Sequence, residues 1–165
     1  MSLQHPVTRF PDEEIFIIYH QTTELYFKLS LHELNQLHSS QQLSGVEMLE
    51  RVRRVNRYFQ VLVDSFDVMV DGLDRQQFLK FRMSLLPSSG FQSVQYRLIE
   101  LACTSMDSLV HIELRPSRLS HSFEDVEPMF EELYWRRGAT ELATGKPTLT
   151  LRQFEANYRD SIIAF

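Results

Sequence analysis

Residues 78–100 read FLKFRMSLLPSSGFQSVQYRLIE, two helical patterns separated by the breaker Pro87, Ser88, Ser89 and Gly90. Phe78, Arg82 and Leu85 recur at i, i+4 and i+7 and so share one face of the first helix. An arginine on that face, beside a phenylalanine and just before a Ser-Ser-Gly turn, has two readings. Its guanidinium is a rigid fork that pairs bidentately with a carboxylate. The turn's hydroxyls and backbone N–H groups would then complete a small anion-binding corner. Alternatively, its stem packs on the core and its head snorkels to a surface acid.

Outward from this stretch, the chain continues to read as helix. Upstream, Asp74 with Gln77 marks a helix start, giving a third helix over about 75–86, after a turn at Asp71 and Gly72. Ser44 with Glu47 is a capping-box pattern that opens a second helix running to about Val70. Its apolar side carries Val55, Phe59, Leu62, Phe66 and Met69; Arg51, Arg53, Arg54 and Arg57 read as a solvated face. Pro11 begins the first helix, which runs to about His38 with Ile15, Ile18, Leu25, Leu29 and Leu34 among its apolar positions. Proline suits a helix's first turn, and Asp12, Glu13 and Glu14 complement the positive end of the dipole.

Downstream, a fourth helix spans about Phe91 to Thr104, with Val94, Leu98, Leu101 and Ala102 on its buried side. The run DSLVHIEL fits a short strand or a helical turn, and periodicity does not choose between them. A fifth helix is expected from near Phe123 to about Thr144, ended by Gly145, Lys146 and Pro147. Thr150 with Gln153 opens a sixth that reaches Phe165. The expectation is an all-α chain, a bundle of about six helices forming a single helical domain over residues 1–165.

Composition narrows the function classes. A net charge of −5 without a long basic run argues against a nucleic-acid partner. One cysteine, Cys103, excludes an intrachain disulfide framework and fits a reducing compartment. No apolar run approaches the roughly 20 residues of a membrane span, and MSLQHPVTRF has no apolar core of the secretory kind. A cytoplasmic protein with neither a membrane nor a nucleic-acid partner is expected.

The first helix holds a second group of site residues. Phe16, His20, Glu24 and Phe27 lie on one face within the run FIIYHQTTELYFK. His20 reads either as a core histidine hydrogen-bonded to a neighbouring helix or as a proton donor or acceptor in an apolar pocket. As metal ligands, His20 and Glu24 have the right i, i+4 spacing, but no second such pair supports them.

Together the two segments resemble the tryptophan 2,3-dioxygenase family of haem enzymes. EEIFIIYHQTTELYFKLSLHEL looks like that family's N-terminal core helix, and FRMSLLPSSGFQSVQYRLIE resembles its FRxxLxPxSGFQSxQxRxxE motif almost position for position. The resemblance covers roughly residues 12–104; the tail from Phe123 is similar only in its helical character and an LY…RRG run.

The resemblance implies an enzyme that opens the indole ring of tryptophan, or a related substrate, with dioxygen to give N-formylkynurenine, using haem. By position, Phe16 and His20 match the distal-pocket phenylalanine and the histidine near the indole N–H, which makes His20 the candidate catalytic residue. Phe78 matches an aromatic pocket position, Arg82 the arginine that binds the substrate carboxylate, and Leu85 an apolar wall. Ser89 and Gly90 match the serine and glycine at the haem edge. The family's proximal haem histidine, and a later Gly-Thr-Gly-Gly-Ser-Ser-Gly loop, have no match within these residues. His111, His121 or a neighbouring subunit's histidine are the available substitutes, and spacing selects none. Homo-oligomerisation is expected, both from the family and from the amount of aromatic surface. A haem-free aromatic amino-acid-binding protein and a helical oligomerisation module are the alternatives.

Overall fold

The computed structural model describes residues 4–39, 42–85, 92–114, 126–141 and 144–165. Pro87 to Gly90, with Ser89 and Gly90 among them, and His121 lie outside the described residues. The chain is all-α, as expected: nine α-helices and one 3-10 helix occur among the described residues. It divides into two compact units, Met1–Leu86 and Pro87–Phe165.

In the first unit, α1 (Pro11–Ser39) pairs with α2 (Gly45–Ser65). Tyr19 approaches Ser65, Tyr26 stacks near Tyr58 and Glu33 meets Arg51, so the two helices run antiparallel. The capping box at α2 is present in full: Ser44 accepts from the Glu47 N–H, and the Glu47 carboxylate accepts from the Ser44 N–H at 2.9 Å. Those bonds hold the exposed Glu47 carboxyl below its ordinary range, the Ser44 hydroxyl first among the causes.

Two expectations for α2 need correction. The helix does not run unbroken to Val70. It ends at Ser65, and a short α3 (Asp67–Val70) follows. At the break the Ser65 hydroxyl donates to the Leu62 carbonyl, and the Phe66 N–H bonds to Val63, three residues back. A serine bonding back to its own helix bends it. Gly72 then closes α3, where a Cβ would lie 2.5 Å from the Val68 carbonyl oxygen. Nor are the arginines all on a solvated face. Arg51 and Arg54 reach the carboxylate of Glu33, which is only 4% exposed, at 3.1 and 3.3 Å. A buried acid needs such partners. Arg53 pairs with Glu50 on the surface.

α4 (Arg75–Phe81) starts where Asp74 accepts from the Gln77 N–H. From Arg82 it tightens into a 3-10 helix, η1 (Arg82–Leu85), rather than continuing as α-helix. The Ser84 hydroxyl takes the Phe81 carbonyl at 2.6 Å, and a residue preceding proline disfavours α geometry.

The second unit holds α5 (Val94–Cys103), α6 (Met106–Leu109), α7 (Val126–Glu131), α8 (Tyr134–Gly138) and α9 (Leu149–Ala164). Its core gathers Leu109, Phe130, Leu133, Trp135, Ala139, Leu151, Phe154 and Ile162, with Val94, Leu98 and Leu101 of α5 packed against it. α5 begins later than Phe91 because the Ser93 hydroxyl accepts from the Tyr96 N–H and caps it. The DSLVHIEL ambiguity resolves into the α6 turn followed by a bridge between Val110 and Leu133. That bridge splits the expected fifth helix. Leu133 is extended at φ −56° and ψ 137° and fully buried, so α7 and α8 are separate. α9 starts earlier than expected: Thr148, not Thr150, caps it by accepting from the Leu151 N–H. Gly145, at φ 65°, makes the preceding turn.

Candidate functional site

Three expected site residues of the first unit, Phe16, His20 and Phe78, meet near the start of α1. Phe16 and His20, one turn apart, stack at 4.1 Å between ring centroids. α4 brings Phe78 to 6.0 Å from Phe16. Phe81, fully buried, completes the cluster at 6.0 Å from Phe16 and 5.5 Å from Phe78, edge-on to both. Edge-to-face packing suits the ring quadrupoles. Phe81 is the residue the sequence reading missed; as the fourth residue of the FLKF run, it follows Phe78 at i+3 and shares its side of the helix.

Arg82 sits at the junction of α4 and η1, one turn after Phe78. Its side chain is exposed and makes no ion pair among the described residues. Snorkelling toward a surface acid therefore finds no acid among the described residues. Leu85 follows half-buried in η1. The switch from α to 3-10 geometry keeps Arg82 and Leu85 aligned, because side chains three apart eclipse in a 3-10 helix.

His20 is neither a core residue nor bonded to a neighbouring helix. It is exposed, and its Nδ1 lies 2.7 Å from the carbonyl oxygen of Phe16 in the same helix. A carbonyl only accepts, so Nδ1 carries the proton and the neutral ring's Nε2 keeps its lone pair. The ring is thus held in one tautomer against Phe16. No group of three histidine, cysteine, aspartate or glutamate side chains able to hold a metal occurs among the described residues. The i, i+4 pairing of His20 with Glu24 is not extended into such a group.

The first turn of α1 braces this cluster. Glu13, 1% exposed, accepts from the Val7 N–H at 2.9 Å, the Thr8 N–H at 2.7 Å and the Thr8 hydroxyl, with the Ser84 hydroxyl at 3.4 Å. Burial pushes its carboxyl up, but the hydrogen bonds from Thr8, Val7 and Ser84 outweigh it and hold the group below its ordinary range. The sequence offers this residue only as one of three acids near a helix dipole.

The second unit carries the other half of the opening motif. Arg97, 6% exposed, donates to the Tyr134 hydroxyl at 2.9 Å and pairs with Glu100 at 2.9 Å. The Tyr134 hydroxyl in turn donates to Glu100 at 2.6 Å. The guanidinium lies over the rings of Tyr96, Tyr134 and Trp135 at 4.9, 5.7 and 5.8 Å. Burial, then the bond to Glu100, pushes the Tyr134 hydroxyl up from its ordinary value. Of the motif's arginines, Arg97 is buried in a hydrogen-bonded network, whereas Arg82 is exposed and makes no ion pair among the described residues. His111 is half-buried; its Nδ1 is enclosed without a hydrogen-bond partner, 3.7 Å from the Glu113 carboxylate.

An all-α fold with an aromatic shelf, a tautomer-locked histidine and an exposed arginine defines the class of protein. The family model for tryptophan 2,3-dioxygenase matches residues 1–128, and the chain belongs to that family. Among relatives named tryptophan 2,3-dioxygenase, that of Ruegeria sp. (strain TM1040) is 46% identical over 101 residues, which are 61% of this chain and 36% of the relative. The protein of the same name from Dictyostelium discoideum is 40% identical over 96 residues, 54% of this chain and 24% of the relative. That from Bacillus anthracis is 38% identical over 103 residues, 62% and 37% of the two chains. The chain therefore spans between about a quarter and little more than a third of the length of these relatives. Among the described residues no helix is long and apolar enough to cross a membrane.

Proposed function

We propose that this chain binds the substrate of a haem-dependent dioxygenase that opens the indole ring of tryptophan, or a related indole, to N-formylkynurenine with dioxygen. The observation that carries the reading is Arg82: an exposed guanidinium without an ion pair among the described residues, one turn beyond Phe78. A planar fork of this kind suits the carboxylate of an amino acid. Phe16 and Phe78 provide the apolar faces for the indole, Leu85 a wall, and Phe81 the floor beneath them. His20, protonated on Nδ1 by its bond to Phe16, offers Nε2 as an acceptor for the indole N–H, a hydrogen-bonding role that needs no coordination to iron.

Haem would supply the oxygen chemistry, with Ser89 and Gly90 at its edge. Histidine binds haem iron through Nε2, commonly with Nδ1–H turned to a carbonyl or carboxylate, so the Nδ1 contacts of His20 with the Phe16 carbonyl and of His111 with Glu113 are compatible with such a role and select neither as the axial ligand. The second reading is an aromatic amino-acid-binding protein without haem. Cytoplasmic residence and homo-oligomerisation belong to the proposal. The stripe Ile15, Ile18, Leu25 and Leu29 along α1 is exposed, and an apolar stripe of that length favours association.

Calorimetry with L-tryptophan tests the substrate reading. Arg82→Ala is expected to weaken binding by about 10- to 100-fold, the loss of one partner from a charged hydrogen-bonded pair. Unchanged affinity in that variant removes the assignment. An absorbance spectrum with and without added haem separates the two readings, since only the haem protein develops a Soret band that tryptophan shifts.

A further inference from the structure

Two consecutive acids in the first turn of α1 reach the two ends of the α4–η1 segment. At its beginning, the Asp12 carboxylate accepts from the Asp74 N–H at 2.6 Å, and the Asp12 N–H approaches the Gln77 side-chain oxygen at 3.4 Å. Asp74 is also the cap of α4, so Asp12 grips the residue that sets where the helix starts. At its end, Glu13 receives the Ser84 hydroxyl at 3.4 Å. That hydroxyl has one proton, given mainly to the Phe81 carbonyl at 2.6 Å, so the Glu13 contact is the weaker share of a forked bond. Glu13 itself is held by Val7 and Thr8, and Lys80 lies over the Phe10 ring at 5.6 Å. Between the two gripped ends lie Phe78, Phe81 and Arg82. One turn further along α1 lie Phe16 and His20.

From this the geometry points to Asp12 and Glu13 as positioning residues: a two-point clamp that sets the register of α4–η1 on α1 and so places Phe78 beside Phe16, with Arg82 one turn further along. Among the described residues no hydrogen bond or ion pair joins either acid to His20 or to the Arg82 guanidinium. Their influence on a bound amino acid is indirect, through the backbone they hold. A rotation of α4–η1 by a single residue would swing Phe78 and Arg82 through about 100° and take Phe78 off Phe16. The hydrophobic contacts of Phe78 and Phe81 tolerate sliding more readily than directional hydrogen bonds do, which is why register falls to the two carboxylates. The consequence for ligand binding rests on the proposed tryptophan site; the clamp itself does not.

The experiment compares Asp12→Ala and Glu13→Gln with Ser44→Ala, which removes the cap of α2 and serves as a control for general loss of stability. Amide hydrogen exchange is followed over residues 74–85, and L-tryptophan affinity is measured by calorimetry on the same full-length proteins. Expected are faster exchange over 74–85 and tryptophan binding weaker by roughly tenfold or more in the two clamp variants, as small misplacements of binding groups produce. Ser44→Ala should change neither beyond its effect on melting temperature. Exchange over 74–85 that responds no more to the clamp variants than to Ser44→Ala overturns the inference. If the unaltered protein fails to bind tryptophan, the proposed site falls, and the exchange comparison still decides the clamp.

Discussion

Arg82 and Arg97 stand fifteen positions apart in one motif, yet their replacement should have opposite signatures. Arg97 is 6% exposed, bonded to Tyr134 and Glu100 and covered by three aromatic rings. Breaking a buried ion pair by removing one partner costs about 3–5 kcal/mol. Glu100 retains 16% side-chain exposure, so water partly rescues it, and ~2–4 kcal/mol is the better expectation for Arg97→Met. Arg97→Lys keeps the charge but loses the fork and the flat face over the rings, a cost of about 1–2 kcal/mol. Arg82→Ala, at an exposed position with no ion pair, should stay within about 0.5 kcal/mol. Urea unfolding followed by circular dichroism gives all three values. A change below about 1 kcal/mol for Arg97→Met, or an equal loss for Arg82→Ala, would refute the division of labour between the two arginines.

Other outcomes follow from the same contacts. Glu33→Gln should cost about 1–3 kcal/mol, because it strips charge from a buried carboxylate serving both Arg51 and Arg54, while Arg54 remains largely in water; thermal melts of Glu33→Gln, Arg54→Ala and the double variant measure the coupling. Glu13 has a folded-state pKa below its ordinary value near 4.5, so its stabilisation is present above that value and lost as pH falls through the lower, folded one. Stability measured from pH 6 down to pH 2 should therefore fall less steeply below about 4.5 in Glu13→Gln than in the unaltered protein. Parallel curves would remove Glu13 as a source of acid sensitivity.

Local patterns were legible where a short stretch of chain contains both partners of an interaction. The Ser44–Glu47 box, the Asp74 cap and the Pro11 start are such cases, and all three stand as read. Phe16 with His20, and Phe78 with Arg82, were legible as faces of single helices; so was the motif that ties the chain to its family. Errors arose where a distant residue intervened. Nothing near Leu133 announces that Val110 will pull it into a bridge and split the helix. Arg51 looks solvated until Glu33 of another helix arrives beneath it, while Arg54 reaches the same carboxylate and stays largely in water. Thr150 with Gln153 reads as the cap of the last helix, but Thr148 accepts the Leu151 N–H and starts that helix earlier.

By itself, then, the order of residues determined the helical class and the family, because amphipathic spacing, caps and motif are one-dimensional properties. It also named candidate site residues on helices more than fifty positions apart. Only the tertiary structure decided that Phe16 and Phe78 share one shelf, that Phe81 lies beneath it, and that Arg97 is spent on the fold while Arg82 is not. The physical reason is burial. The same guanidinium is a structural brace when aromatic rings and a carboxylate enclose it, and a binding group when water does.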